Sequence, residues 1–465
     1  MKNPANLTLV SSNELFLEAE PFEDTADETS LPPVLPDPET ARVAVVGLGY
    51  VGLPLICGFA RNARAIGLDI SKSKIEELRS GIDSTGEVTS DMLQAADADF
   101  DTDPTVLSEA DVIVICVPTP VNARNRPDYG PLLKASRTIG THMKRGAVIV
   151  FESTVDPGTT EERCLPLIEK ISGLQEGIDF HIGYSPERIN PADPTRKLPD
   201  IKKIVAGRIP EVTDFLVELY SRVVTAGLFP AANIRVAEAA KILENTQRDV
   251  NIALMNQMMA LYDKMGIRAS DVIAAAGSKW NFHHYRPGLV GGHCIAVDPY
   301  YLVDAGRRHG LAMELVAAAR TVNEQTPFYL AEKLEELFDA MGESIHGKRI
   351  LVLGRSFKED CPDTRNSKTF KLMDYLWSRG AEVFNYDPVA DDDHFEGGRG
   401  SQFIDDPYQE GAYHAVIVTL GHAVFRDEID VDTLKTLTPR GAPLIDMRGN
   451  YECPDALSHF SYWRP

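Results

Sequence analysis

Two stretches of this 465-residue chain carry residue types that can do chemistry together. One is Gly291-Gly292-His293-Cys294-Ile295-Ala296-Val297-Asp298, and the other is Val43-Ala44-Val45-Val46-Gly47-Leu48-Gly49-Tyr50-Val51-Gly52. The second has the form of a dinucleotide-binding turn. A thiol held beside a nicotinamide can capture an aldehyde, and the hemithioacetal formed is a hydride donor where the free aldehyde is not. That pairing is the signature of a four-electron oxidation, alcohol through aldehyde to acid.

Cys294 stands out among six cysteines, at 57, 116, 164, 294, 361 and 453. Gly291 and Gly292 are expected to let substrate approach the backbone. His293 can lend positive character to the thiol, and Asp298 can orient a lysine or a water. Cys57 and Cys116 lie in apolar contexts and are expected to be inert core residues. Without any C-x-x-C spacing neither a disulfide framework nor a zinc site is indicated, and no metal is expected. A reducing cytoplasm fits this usage.

Glu238, Lys241 and Asn245 are spaced by three and four and share one face of a helix. Spacing alone favours a solvated stripe with a Glu-Lys pair. The company of Cys294 raises the alternative, a lysine and an amide that hold a sugar oxygen or a developing oxyanion.

These side chains need a frame. Val43 to Val46, Ala65 to Asp69, Val112 to Val117, Ala147 to Phe151 and Ile204 to Gly207 are predicted buried strands alternating with helices, which implies a parallel sheet covered on both faces. Residues 43–60 are uncharged, but four glycines and Pro54 make them a strand entering a helix rather than a membrane span. In that turn Gly47 permits the tight bend, Gly49 the approach of a pyrophosphate and Gly52 helix–sheet packing, with the phosphates at the helix N-terminus. Asp69, 17 residues after Gly52, is placed to accept ribose hydroxyls and to repel a 2′-phosphate, which favours NAD over NADP, although Lys72 and Lys74 soften that preference. Between Ile234 and Met265, 32 residues without Gly or Pro predict one helix of about 48 Å, long enough to bridge two domains.

A second α/β pattern starts at Lys348 to Gly354 and continues through Ala381 to Asp387, His414 to Leu420 and Pro443 to Asp446. The fold class is therefore α/β, two doubly wound Rossmann-like domains joined by a long central helix. The second half has only Gly354 where the first has three glycines, so a different nucleotide is the expectation there. Phe357 through Arg365 follows that glycine and offers two cations at the carboxyl end of a strand.

A net charge of -22 argues against a nucleic-acid or anionic-membrane surface and leaves local pockets for small anions. Residues 1–40 hold nine acidic residues, one lysine and six prolines, a composition expected of a disordered tail and unlike a transit peptide or a secretory signal.

With these motifs in place the chain, from about Arg42 to its end, resembles the nucleotide-sugar 6-dehydrogenases, the family of UDP-glucose and GDP-mannose dehydrogenases. Tyr184 to Pro191, Arg286 to Cys294, Val297 to Tyr301 and Lys358 to Asn366 carry the likeness. It is similar especially to the branch acting on UDP-N-acetylglucosamine or UDP-N-acetylgalactosamine in bacterial polysaccharide synthesis. Arg188-Ile189-Asn190-Pro191 stands where UDP-glucose enzymes carry Phe-Leu and a late glutamate, which puts UDP-glucose in doubt.

The resemblance implies an NAD domain over 41–230, a central helical dimerisation core over 231–325 and a UDP-sugar domain over 326–465, in a homodimer or higher homo-oligomer. It also implies roles. Cys294 would be the nucleophile, Lys241 and Asn245 the oxyanion pair, and Asp298 the partner of that lysine. Glu187 would be the base of thioester hydrolysis, with Thr154 near the nicotinamide and the water. Cofactor contacts are expected at Gly47, Gly49, Tyr50, Val51, Gly52, Asp69, Lys74, Thr119, Thr154 and Arg365. Substrate contacts are expected at Glu187, Arg188, Lys241, Asn245, Arg286, Gly291, Gly292 and Lys358. Three other readings stay open: a 6-dehydrogenase acting on UDP-glucose or UDP-N-acetylmannosamine, a two-electron dehydrogenase of the 3-hydroxyacid type, which needs no thiol, and a catalytically silent nucleotide-sugar sensor.

Overall fold

The computed structural model describes residues 34–61, 63–190, 193, 195–390, 400–451 and 457–465. Most of the acidic tail and Cys453 therefore lie outside the described residues. Residues 34–40 are placed, and Arg222 donates to the Pro38 carbonyl at 2.9 Å.

The first sheet contains β1 (Val43–Val46), β2 (Ala65–Leu68), β3 (Ala98–Asp101), β4 (Val112–Ile115), β5 (Val148–Phe151), β6 (His181–Tyr184), β7 (Lys203–Gly207) and β8 (Leu228–Pro230), in the order β3-β2-β1-β4-β5-β6-β7-β8. Its central strands are apolar on both faces because each face meets its own core. Val43, Val45, Val112, Val114, Val148 and Val150 enter one cluster. Ala44, Val46, Ile113, Ile115, Ile149 and Phe151 enter the other. All pairings are parallel except β6 with β7, which corrects the all-parallel expectation.

The second sheet contains β9 (Arg349–Leu353), β10 (Glu382–Tyr386), β11 (Ser401–Phe403), β12 (Ala415–Val418), β13 (Pro443–Asp446) and β14 (Ser461–Trp463), in the order β11-β10-β9-β12-β13-β14, all parallel. Counted from its own first strand this is 3-2-1-4-5-6, the order of strands β1 to β6 in the first sheet. Both halves are doubly wound, so each has its switch point beside its first strand, where ligands of such sheets lie.

A 31-residue helix, Ile234–Lys264, joins the halves, and the Asn233 side chain caps it by accepting from the Val236 amide. Its first turns (Ile234, Ala237) pack into the first sheet's core and Met259 into the second's. The helix Glu314–Ala340 runs alongside it with Pro327 inside, so the boundary expected at 325 falls within one continuous helix. Among the described residues no helix is long and apolar enough to cross a membrane.

Candidate active site

The glycine turn has the shape its spacing predicts. Gly47 has φ +94°, and a Cβ there would lie 2.8 Å from the Cys116 carbonyl oxygen. A Cβ on Gly52 would collide with the Gly47 carbonyl, whereas one on Gly49 would meet nothing within 4 Å, so backbone there is open to a ligand group. The helix Gly52–Phe59 points its N-terminus at this turn. Asp69, at the tip of β2, accepts from the Leu48 and Ser71 amides, both at 2.9 Å, and Lys74 approaches it at 3.9 Å. The donor set and the open backbone at Gly49 fit a dinucleotide.

The carboxyl ends of β4, β5 and β6 lead to Thr119, Thr154 and Glu187, the first two half-buried and the third buried. The far wall comes from the second half. The guanidinium of Arg365, tied to Asp363 at 2.8 and 2.9 Å, lies 5.1 Å over the Tyr50 ring. Lys358 reaches across to the Asn190 side-chain carbonyl at 2.8 Å.

Cys294 lies between these walls. The amides of Val297 and Asp298 donate to its carbonyl at 3.0 and 2.8 Å, forming the turn that opens the helix Asp298–Arg308. The side chain is exposed. Protein crowding round the cleft pushes the thiol up, Asp298 and Glu187 add to the rise, and Lys241 and Arg248 oppose it. Of the two cations that favour the thiolate, Lys241 acts more strongly than Arg248.

The long-helix stripe is not solvated. Glu238, Lys241 and Asn245 are all buried, because this face turns into the junction of the two halves. Asn245 donates to Asp298 at 2.5 Å. Burial pushes the Asp298 carboxyl up to about 6, with Lys241 and the Asn245 hydrogen bond holding it from rising further. Glu238 does not serve Lys241 as the spacing suggested; its two oxygens accept from the Gly158 and Thr160 amides at 2.6 and 3.0 Å and so fix the loop after β5.

Several expected site residues have partners of their own. A Cβ at Gly291 would lie 2.8 Å from the Asn366 carbonyl, and one at Gly292 (φ +79°) 2.7 Å from the Phe357 ring, so the missing side chains of this glycine pair admit the second half's loop. His293 pairs with Asp363 at 3.4 Å instead of serving the thiol. Arg188 is held by Glu244 at 2.8 Å and by the Lys202 carbonyl at 2.6 Å, which ties its guanidinium to the long helix. Arg286 is exposed.

Sequence reasoning missed Arg248, which acts on the thiol from one turn beyond Asn245. It also missed Asn256, whose side chain bonds both the N–H and the carbonyl of Gly288 at 2.8 and 3.0 Å, clasping the segment that leads to Cys294. Lys203, buried in β7, was missed as well. Its signal was a charge inside an apolar strand, Lys203-Ile204-Val205-Ala206-Gly207.

Three family models match the chain in order: the UDP-glucose/GDP-mannose dehydrogenase NAD binding domain over residues 41–224, the central domain over 235–325 and the UDP binding domain over 351–452. The chain is 46% identical to protein CapL of Staphylococcus aureus over 78% of its own length and 86% of that protein. It is 42% identical to a UDP-N-acetyl-D-glucosamine 6-dehydrogenase of Pseudomonas aeruginosa over 88% and 96%. Among solved structures it resembles a UDP-D-ManNAc dehydrogenase from Pyrococcus horikoshii, with TM-score 0.82, 30% identity, and 91% and 98% of the two chains covered.

Proposed function

Because this chain belongs to the UDP-glucose/GDP-mannose dehydrogenase family of NAD-dependent UDP-sugar dehydrogenases, we propose that it oxidises C6 of UDP-N-acetylglucosamine or UDP-N-acetylgalactosamine to the uronic acid through a covalent stage on Cys294. The observation that carries this reading is the exposed Cys294, whose carbonyl accepts from the Asp298 amide while the Asp298 carboxylate accepts from Asn245 and buried Lys241 acts on the thiol. The sugar assignment draws support from the Pseudomonas relative, 42% identical along nearly its whole length.

NAD supplies the hydride acceptor when bound, one molecule for each of the two oxidations. The C6 hydroxyl yields its proton to solvent water, and Lys241 and Asn245 hold the oxygen and stabilise its negative charge until the carbonyl forms. The Cys294 thiolate adds to the resulting aldehyde, and the hemithioacetal is oxidised to a thioester at the same position. Glu187 takes a proton from water as it attacks the acyl carbon, the carbon–sulfur bond breaks, and the thiol is regenerated with release of the acid. Asp298 holds Asn245 in place and balances Lys241. Thr154, on the loop after β5, lies on the water side. The UDP would be held by the second half, with Lys358 at the sugar and Arg365 closing over the cofactor turn at Tyr50.

A homodimer is part of the reading, supported by Leu243, Leu254 and Leu261, which the long helix leaves exposed. The test is initial rates with UDP-GlcNAc, UDP-GalNAc, UDP-ManNAc and UDP-glucose. The highest kcat/KM is expected for UDP-GlcNAc or UDP-GalNAc, and preference for UDP-glucose or UDP-ManNAc would overturn the sugar assignment.

A further inference from the structure

Behind Glu187 lies a buried ionic cluster that none of the roles above uses. Lys203, on β7, is 1% exposed, and Glu152, at the end of β5, is likewise 1% exposed. The Lys203 ammonium donates to Glu152 at 2.8 Å and to the carbonyls of Pro186 and Ser185 at 3.1 and 3.4 Å, and it faces the second oxygen of Glu187 at 3.9 Å. The Tyr220 hydroxyl donates to the other oxygen of Glu152 at 2.6 Å. Glu187 is fixed from its own loop too, since the amides of Arg188 and Ile189 both donate to Oε1.

A buried cation is costly, so its placement asks for a reason. Glu152 alone would neutralise Lys203. Yet the ammonium also gathers the two carbonyls just before Glu187 and points at the carboxylate itself. Burial by itself would push Lys203 down, but Glu152 and Glu187 outweigh it and hold the ammonium protonated. Burial raises the Tyr220 hydroxyl and keeps it a donor. Other titratable groups act on this cluster from two sides: Cys116, after β4, and the Cys294 thiol across the cleft.

We propose that Lys203 is a positioning residue for thioester hydrolysis, which orients the Glu187 carboxylate toward the acyl carbon to accept the proton of the attacking water. Glu152 and Tyr220 hold Lys203 in turn. The proposal rests on the reading of Glu187 as the base in that step. Hydrolysis consumes one water, breaks the carbon–sulfur bond and returns the thiol, with no change in oxidation state, so Lys203 bears on this step and not on the hydride transfers.

The experiment compares the wild type with K203M, K203R and the double variant K203M/E152Q, which removes the buried pair without leaving an unpartnered carboxylate. Each is mixed with NAD and UDP-GlcNAc, quenched on the millisecond scale for intact mass, and assayed for kcat. The expected result for K203M and the double variant is a first hydride transfer near the wild-type rate and hydrolysis slowed ~10- to 100-fold, with acyl-enzyme accumulating. K203R, which keeps the cation, restores hydrolysis and clears the acyl-enzyme. A folded double variant that accumulates no acyl-enzyme overturns the proposal, and so does loss of fold in both variants, which would make the pair structural. If the wild type itself yields one NADH per sugar, the reading of the thiol fails first and the proposal falls with it.

Discussion

Replacing Gly292 by alanine is a sharp perturbation because two independent costs fall on one atom. Gly292 has φ +79°, where an alanine costs about 1–2 kcal/mol. Its new Cβ would lie 2.7, 2.9 and 3.2 Å from three atoms of the Phe357 ring, and overpacking of that kind costs about 1–3 kcal/mol. The sum, about 2–5 kcal/mol, exceeds what a turn two residues from the reacting sulfur can absorb in place. The loop is expected to shift, and displacing a nucleophile by ~1 Å costs ~100-fold in rate. The assay is a double-mutant cycle in kcat with G292A, F357A and G292A/F357A. F357A clears the clash and leaves the φ cost, so G292A should lose ~100-fold in the wild-type background and under ~10-fold in the F357A background. Equal losses in the two backgrounds, or a G292A enzyme with wild-type kcat, would refute the reasoning that Phe357 fits against the thiol loop.

Removing the carboxylate at Asp69 takes away the acceptor expected at the ribose. Hydrogen bonds to a charged group contribute about 1.5–3 kcal/mol, so D69A should weaken NAD binding ~10- to 100-fold by calorimetry, and an unchanged Kd would reject that role. Glu238 predicts a pH effect on stability. Burial raises it to about 7 from the ordinary 4.5 despite its amide partners, so the folded state binds this proton more tightly than the unfolded chain. Its contribution is complete below pH 4.5 and lost as pH rises through 7, on the order of 3 kcal/mol. Urea midpoints of wild type and E238Q should therefore diverge in the wild type's favour at pH 5 relative to pH 8, and a pH-independent difference would contradict the assignment.

What was legible in the sequence is what depends on neighbours along the chain. Gly47, Gly49 and Gly52 meet constraints set largely by their own turn and by β4, and the spacing specified them. The long helix was evident because nothing between Ile234 and Met265 interrupts it. Partners far apart in sequence were not legible. Glu238 takes its partners 78 and 80 residues upstream, Lys203 reaches Glu152 across 51, and Asn366 meets Gly292 across 74. Strand β3 escaped notice because Asp99 and Asp101 break its apolar run near the sheet edge, where solvent tolerates them. The reversal between β6 and β7 left no trace, since a buried strand has the same texture in either direction. The glycine pair before Cys294 was visible, but its packing against Phe357 and Asn366 was not, because those residues lie more than 60 positions away.

The central claim is that one sulfur carries the sugar between two oxidations. Its most direct test is the number of NADH molecules formed per UDP-GlcNAc consumed, measured at completion for the wild type and for C294A, with the quenched wild-type enzyme digested to locate any acyl adduct. Two NADH per sugar, an adduct on Cys294 and no acid from C294A are the predicted results. One NADH per sugar from the wild type, or two from C294A, would contradict it.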